Sequence, residues 1–133
     1  MNKIELKNGI YWVGAIDWNL RDFHGYKTPN GSTYNAYLVV GEKIALIDTV
    51  KRPFLNDLVE NIRNIVEPEK IDYLIVNHVE MDHSGSFPEI VKLLKNARIV
   101  ATKEGKEELL KHHGKDYDIT VVEDGDTISL GNK

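Results

Sequence analysis

An apolar run, Ile71-Asp72-Tyr73-Leu74-Ile75-Val76, leads through Asn77 into His78-Val79-Glu80-Met81-Asp82-His83. The run is short, rich in β-branched residues and lacks a helical period, so it reads as a buried strand. The six residues after it then form the loop at the strand's carboxyl end. In α/β sheets ligands bind at this rim, because the strand ends fix a rigid edge and the loops supply the chemistry. That one junction selects an α/β architecture and places its candidate site.

The loop brings two imidazoles and two carboxylates within six residues. A polar surface loop is the plain alternative, but no single structural role uses four such groups. In an extended or tightly turned loop alternate side chains point the same way. His78, Glu80 and Asp82 would therefore share one side, with His83 following from the next position. A His-x-Glu pair can hold one ion while Asp82, with or without His83, addresses a second. Nitrogen and oxygen donors without thiolate suit iron, manganese or zinc, and argue against iron–sulfur clusters and copper(I).

The rest of the chain alternates strands and helices. Ile4–Leu6 and Ile10–Ile16 read as strands. Residues 17–32 form a long loop with Gly25, Pro29, Asn30 and Gly31 as turn residues and Trp18, Phe23 and Tyr26 as aromatics. Loops of that length in compact domains are functional or disordered, and the aromatics argue against disorder. Tyr34–Val40 and Lys43–Asp48 suggest a hairpin around Gly41-Glu42. Pro53 opens a helix whose apolar stripe runs from Phe54 to Val66, and Pro68 ends it. Ser86-Phe87-Pro88-Glu89 reads as a capping box before a helix over 88–94. Arg98–Ala101 follows as a strand. Thr102 caps a helix to about His112. Ile119–Val122 and Thr127–Leu130 read as strands around the turn Asp124-Gly125-Asp126.

At this point the chain resembles a family. His-x-Glu-x-Asp-His after a strand follows the pattern of the metallo-β-lactamase-like fold, whose hydrolases carry His where this chain has Glu80. The Glu form resembles the flavodiiron proteins, as do Asp17-Trp18-Asn19-Leu20-Arg21-Asp22-Phe23-His24-Gly25-Tyr26 and Thr33-Tyr34-Asn35-Ala36-Tyr37-Leu38. The likeness extends from Ile10 to Leu130.

The resemblance implies an αβ/βα sandwich of which residues 1–133 supply the amino-terminal half. It implies two non-haem irons, with His78 and Glu80 on one, Asp82 on the other, and His83 a ligand in some members only. It implies FMN in a flavodoxin-like domain outside this segment, supplying electrons across a head-to-tail dimer, a rubredoxin-type electron donor, and reduction of oxygen or nitric oxide. The remaining iron ligands would also lie outside this segment, so the chain alone is expected to be inactive. A dinuclear zinc hydrolase of the same fold is the alternative, as is a non-catalytic truncated domain. Glu80 and the 18–26 loop favour the diiron reading.

Other residues carry two readings each. His24 is a donor projecting over the metal pocket, as the resemblance suggests, or a loop histidine bonded to backbone. Asp48 orients the metal loop or caps a turn. His112 and His113 would diverge by about 100° on a helix, so they cannot chelate one ion together and more naturally favour the helix carboxyl end. Trp12 and Trp18 read as packing residues. Arg21 and Lys51 read as surface charges.

Composition sets outer limits. At 133 residues a core is feasible, with roughly two-thirds of the chain's surface buried on folding. There is no cysteine, which removes disulfides and thiol chemistry. A net charge of −4 gives no encouragement to nucleic-acid or anionic-membrane binding. No apolar run approaches the ~20 residues of a membrane span, and the start lacks a secretory pattern, so a cytoplasmic location is expected. Finally, half a sandwich would leave one sheet face uncovered, with Leu38, Val40, Ile44, Leu46 and Leu74 as candidates. A homodimer using that patch twice is the expected remedy.

Overall fold

The computed structural model describes residues 4–17, 22–23, 26–27, 32–77, 85–114 and 117–132. Its strands are β1 (Ile4–Lys7), β2 (Ile10–Trp12), β3 (Ala15–Asp17), β4 (Asp22–Phe23), β5 (Tyr26–Lys27), β6 (Ser32–Tyr34), β7 (Tyr37–Val40), β8 (Ile44–Ile47), β9 (Tyr73–Ile75), β10 (Arg98–Ala101) and β11 (Ile119–Val121). Among the described residues the helices are α1 (Leu55–Arg63), α2 (Phe87–Leu93) and α3 (Lys103–His113). None is long and apolar enough to cross a membrane.

Seven strands form one mixed sheet in the order β1-β2-β7-β8-β9-β10-β11. The first four pair antiparallel, and β8, β9, β10 and β11 run parallel. Parallel neighbours need crossovers, and α1, α2 and α3 fall in those connections. The fold is α/β, as expected.

The register explains the core. Tyr11 pairs with Leu38, Leu38 with Leu46, Leu46 with Leu74, Leu74 with Ile99 and Ile99 with Ile119. This row crosses the sheet on one face, and Leu38, Leu46 and Leu74 are fully buried. Leu58 and Ile62 of α1, Phe87 and Ile90 of α2, and Leu109 of α3 belong to the same apolar cluster. All three helices thus cover one face. Each fully buried Leu or Ile there contributes on the order of 2 kcal/mol.

The opposite face carries Val39, Ala45, Ile47, Tyr73, Ile75 and Val100 by strict alternation. It borders a groove of about 310 Å³ lined by Val39, Ile47, Ile75, Val122 and Ile128. Val39, Ile47 and Ile75 remain only half-buried. Leu38, Leu46 and Leu74 are therefore not on the open face, and Val40 and Ile44 also pack toward the helix-side core. The assignment of faces from sequence is inverted. Strands in a parallel sheet are apolar on both sides, so composition does not say which side takes the helices.

Other boundaries shift for local reasons. The expected strand 10–16 breaks at Val13-Gly14, because the side-chain amide of Asn61 donates to the carbonyls of Val13 (3.2 Å) and Gly14 (2.9 Å). A Cβ on Gly14 would lie 2.0 Å from the Tyr34 carbonyl oxygen, so only glycine fits this approach. Tyr34 accordingly leaves the hairpin and belongs to β6, which pairs with β3. Residues 52–54 form a 3-10 turn before α1, and α1 ends at Arg63 rather than at Pro68.

Residues 127–130 are not a strand. Instead the Leu130 carbonyl accepts from Lys43 N (3.0 Å), and the Asn132 side chain accepts from Glu42 N (3.1 Å), docking this segment on the β7–β8 turn. Thr102 caps α3 as expected, its hydroxyl accepting from Gly105 N at 3.0 Å. The 124–126 turn is present, with Gly125 at φ 91° and the Asp126 carboxylate accepting from Glu123 N.

Candidate metal centre

The four parallel strands end on a common rim, and β9, the strand that precedes residues 78–84, lies inside it. Strand β9 stops at Ile75 between β8 and β10. The next amide, Val76 N, still donates to Val100 O at 2.8 Å. Asn77 follows, and the described chain resumes at Gly85. His78, Glu80, Asp82 and His83 lie outside the described residues, as does His24. The structure describes the residues on either side of the 78–84 segment.

Asp48 forms one side of that frame. It directly follows β8, is nearly fully buried, and has a φ of 64°. Aspartate tolerates the left-handed region better than most residues, and a single residue held there must be fixed by its surroundings. Its N–H donates to Ile75 O at 2.8 Å, and its carboxylate Oδ1 accepts from Asn77 N at 2.6 Å. The carboxylate thus bonds the backbone of Asn77, the last described residue before the 78–84 segment.

The other side is Ser86, fully buried at the entrance to α2. Its N–H (3.2 Å) and its hydroxyl (3.0 Å) both donate to the Val50 carbonyl. The expected capping box does not form, because α2 begins with no side-chain cap and Glu89 pairs with Arg52 instead (3.2 Å). The Ser-x-x-Glu spacing signalled a helix start correctly. It could not reveal that a carbonyl 36 positions earlier takes the hydroxyl. Ser86 is the functional candidate that sequence reasoning missed, and its position three residues past His83 was the only available hint.

Elsewhere the histidines of α3 serve structure. His112 Nε2 lies 3.2 Å from Glu108 one turn earlier, and the His113 ring packs on Phe87 with centroids 5.4 Å apart. They do not chelate together. Trp12 donates its indole N–H to Asn35 at 3.0 Å, a packing role. Among the described residues no three His, Cys, Asp or Glu side chains gather to hold a metal.

Comparison with known proteins agrees with this frame. The family model described as ODP family beta lactamase matches residues 33–133. A nitric oxide reductase of Moorella thermoacetica is 45% identical over 98% of this chain and 33% of its own length. The solved rubredoxin oxygen:oxidoreductase of Desulfovibrio gigas superposes with a TM-score of 0.92 at 43% identity, covering 98% of this chain and 33% of that one. The flavodiiron protein of Giardia intestinalis superposes with a TM-score of 0.92 at 36% identity, covering 98% and 32%. The chain thus spans about a third of the length of the curated relatives it matches. With a family model covering well over half of its residues, the chain belongs to the ODP beta-lactamase family.

Proposed function

We propose that this chain is the amino-terminal part, residues 1–133, of the diiron domain of a flavodiiron oxidoreductase. Such an enzyme reduces oxygen to water or nitric oxide to nitrous oxide with electrons delivered through FMN. The observation that carries the reading is the pair of bonds on either side of residues 78–84, from Asn77 N to the Asp48 carboxylate and from the Ser86 hydroxyl to Val50 O. The sequence between them includes His78, Glu80, Asp82 and His83.

The donor chemistry fits iron. Imidazole and carboxylate without thiolate suit a ferrous ion, and Glu80 replaces the histidine that zinc hydrolases of this fold carry. His78 and Glu80 would hold one iron and Asp82 the other, with His83 beside them and His24 contributing from the 17–32 loop. When bound, the iron pair supplies the redox chemistry. The chain's own part is to hold the donors. The Asp48 carboxylate fixes the backbone at Asn77, and the buried Ser86 closes the far end, so both bonds stabilise the rim without entering the reaction.

The open sheet face marks where further structure would join, whether the rest of the domain or, in the isolated chain, a second copy. FMN, a rubredoxin-type donor and the remaining iron ligands belong to the whole protein in this reading. Relatives named nitric oxide reductase and rubredoxin-oxygen oxidoreductase support oxygen or nitric oxide as substrate.

The test is Glu80→Ala in the full-length protein, read by iron analysis and by gas-consumption assays. It is expected to lose about half the iron and most turnover with the fold retained, since outer and inner ligands of such sites typically control 10–100-fold in affinity or activity. Full iron and full activity in that variant would sink the ligand assignment.

A further inference from the structure

We propose that the cleft between β1, β3 and α1 docks a partner protein through one of that partner's lysine or arginine side chains. None of the residues that line it is a candidate metal ligand.

Exposed apolar surface gathers here. Ile4, Leu6 and Ile16 are 47%, 54% and 39% exposed, three of the four large apolar side chains that stand in solvent among the described residues. Ile4 and Ile16 line the cleft together with Trp12 and Ala15. Apolar side chains scattered singly over a surface are ordinary, but several around one concavity mark an interaction site. The cleft holds about 350 Å³, at the small end of the roughly 300–1,000 Å³ of ligand sites. That volume suits one long side chain with its neighbours, and not a large cofactor.

The polar lining specifies the charge. The Asn61 amide is engaged with the Val13 and Gly14 carbonyls, and the Trp12 N–H with Asn35. Asp57 is the charged residue of the lining. It is half-buried, and among the described residues it has no ion pair or hydrogen bond. A carboxylate beside an apolar wall is best met by a cation that brings its own apolar stem, and lysine and arginine are built that way. Asp57 also stands in the first turn of α1, where negative charge favours the helix end. That role needs no cleft and predicts no ligand preference.

The surface beyond the cleft favours a protein over a free organic cation. Strand β1 is outermost in its sheet, all four of its residues are exposed, and among the described residues it pairs only with β2. A small cation would fill the cleft and leave Leu6 and this edge bare. An extended segment covers both, with its backbone beside β1 and one side chain in the cleft.

The experiment titrates the full-length protein into fluorescein-labelled heptapeptides, read by anisotropy. The peptides share valine flanks and differ only in a central Lys, Arg, norleucine or Glu. The Lys and Arg peptides are expected to bind about 10-fold tighter than the norleucine peptide, with the Glu peptide weakest. In Asp57→Asn that advantage should disappear while circular dichroism is unchanged. Ile16→Lys, which places a cation at the cleft, should weaken all four peptides.

Equal binding of the Lys and norleucine peptides to the wild-type protein would overturn the proposal, and that comparison needs no variant to fold. So would the absence of binding by any peptide, or a preference for Lys that survives Asp57→Asn. Competition by n-butylamine as effective as that of the unlabelled Lys peptide would also overturn it, because the occupant would then be a free cation.

Discussion

The two faces of the seven-stranded sheet are built from neighbouring residues of nearly the same chemistry, yet they differ in almost every physical respect. On one, Leu38, Leu46 and Leu74 are sealed by α1, α2 and α3. On the other, Val39, Ile47 and Ile75 are half-buried, and Val122, Asp126, Ile128 and Leu130 line part of the groove beside them. The comparison teaches that apolar character alone does not make a core. A face becomes one only when a second layer brings enough surface to it, and the helices among the described residues pack on one side. The open face is correspondingly where this chain has capacity to associate.

The largest expected effect comes from putting a charge on each face in turn. Leu38→Lys buries an unpaired ammonium under the helices and is expected to abolish folding, a loss above about 4 kcal/mol. Val39→Lys can extend its charged end into the groove and is expected to cost less than about 1 kcal/mol. Circular dichroism and urea titration of the two variants give the answer. Equal damage would mean that the open face is as closed as the other.

A smaller, graded contrast comes from truncation. Leu46→Ala leaves a cavity in the sealed core and is expected to cost about 2–5 kcal/mol. The adjacent Ile47→Ala removes contacts that are only half buried and is expected to cost about 1 kcal/mol. In a full-length protein that covers this face, the Ile47→Ala penalty should rise toward that of Leu46→Ala. A penalty that stays near 1 kcal/mol there would show that nothing packs on Ile47.

The smallest effect is on association. If a second copy covers the groove, the isolated chain is expected to scatter light as a dimer, with Ile47→Asp shifting it toward monomer. A clean species at 15.2 kDa that unfolds cooperatively at micromolar concentration would end the dimer expectation and leave the face open in solution.

Much of this organisation was legible in the residues. The cap at Thr102 and the turn at 124–126 follow from local signals, because each is made within a few residues of itself. The apolar run ending at Val76 placed the candidate metal segment at a strand's carboxyl end, and the strand is there. The break at Val13-Gly14 was not legible. It depends on Asn61, 47 and 48 positions away, donating to two carbonyls, and on the Tyr34 backbone passing too close for a side chain.

The sequence by itself marked the alternation of strands and helices and which residues could bind a metal, since periodicity, caps and donor chemistry are properties of short stretches. Only the tertiary structure decided which sheet face became the core, because a strand apolar on both sides has no preferred parity until helices pack on one of them. Only it decided that the hydroxyl of Ser86 would bind Val50 rather than its own helix, because that choice depends on a carbonyl brought near by folding.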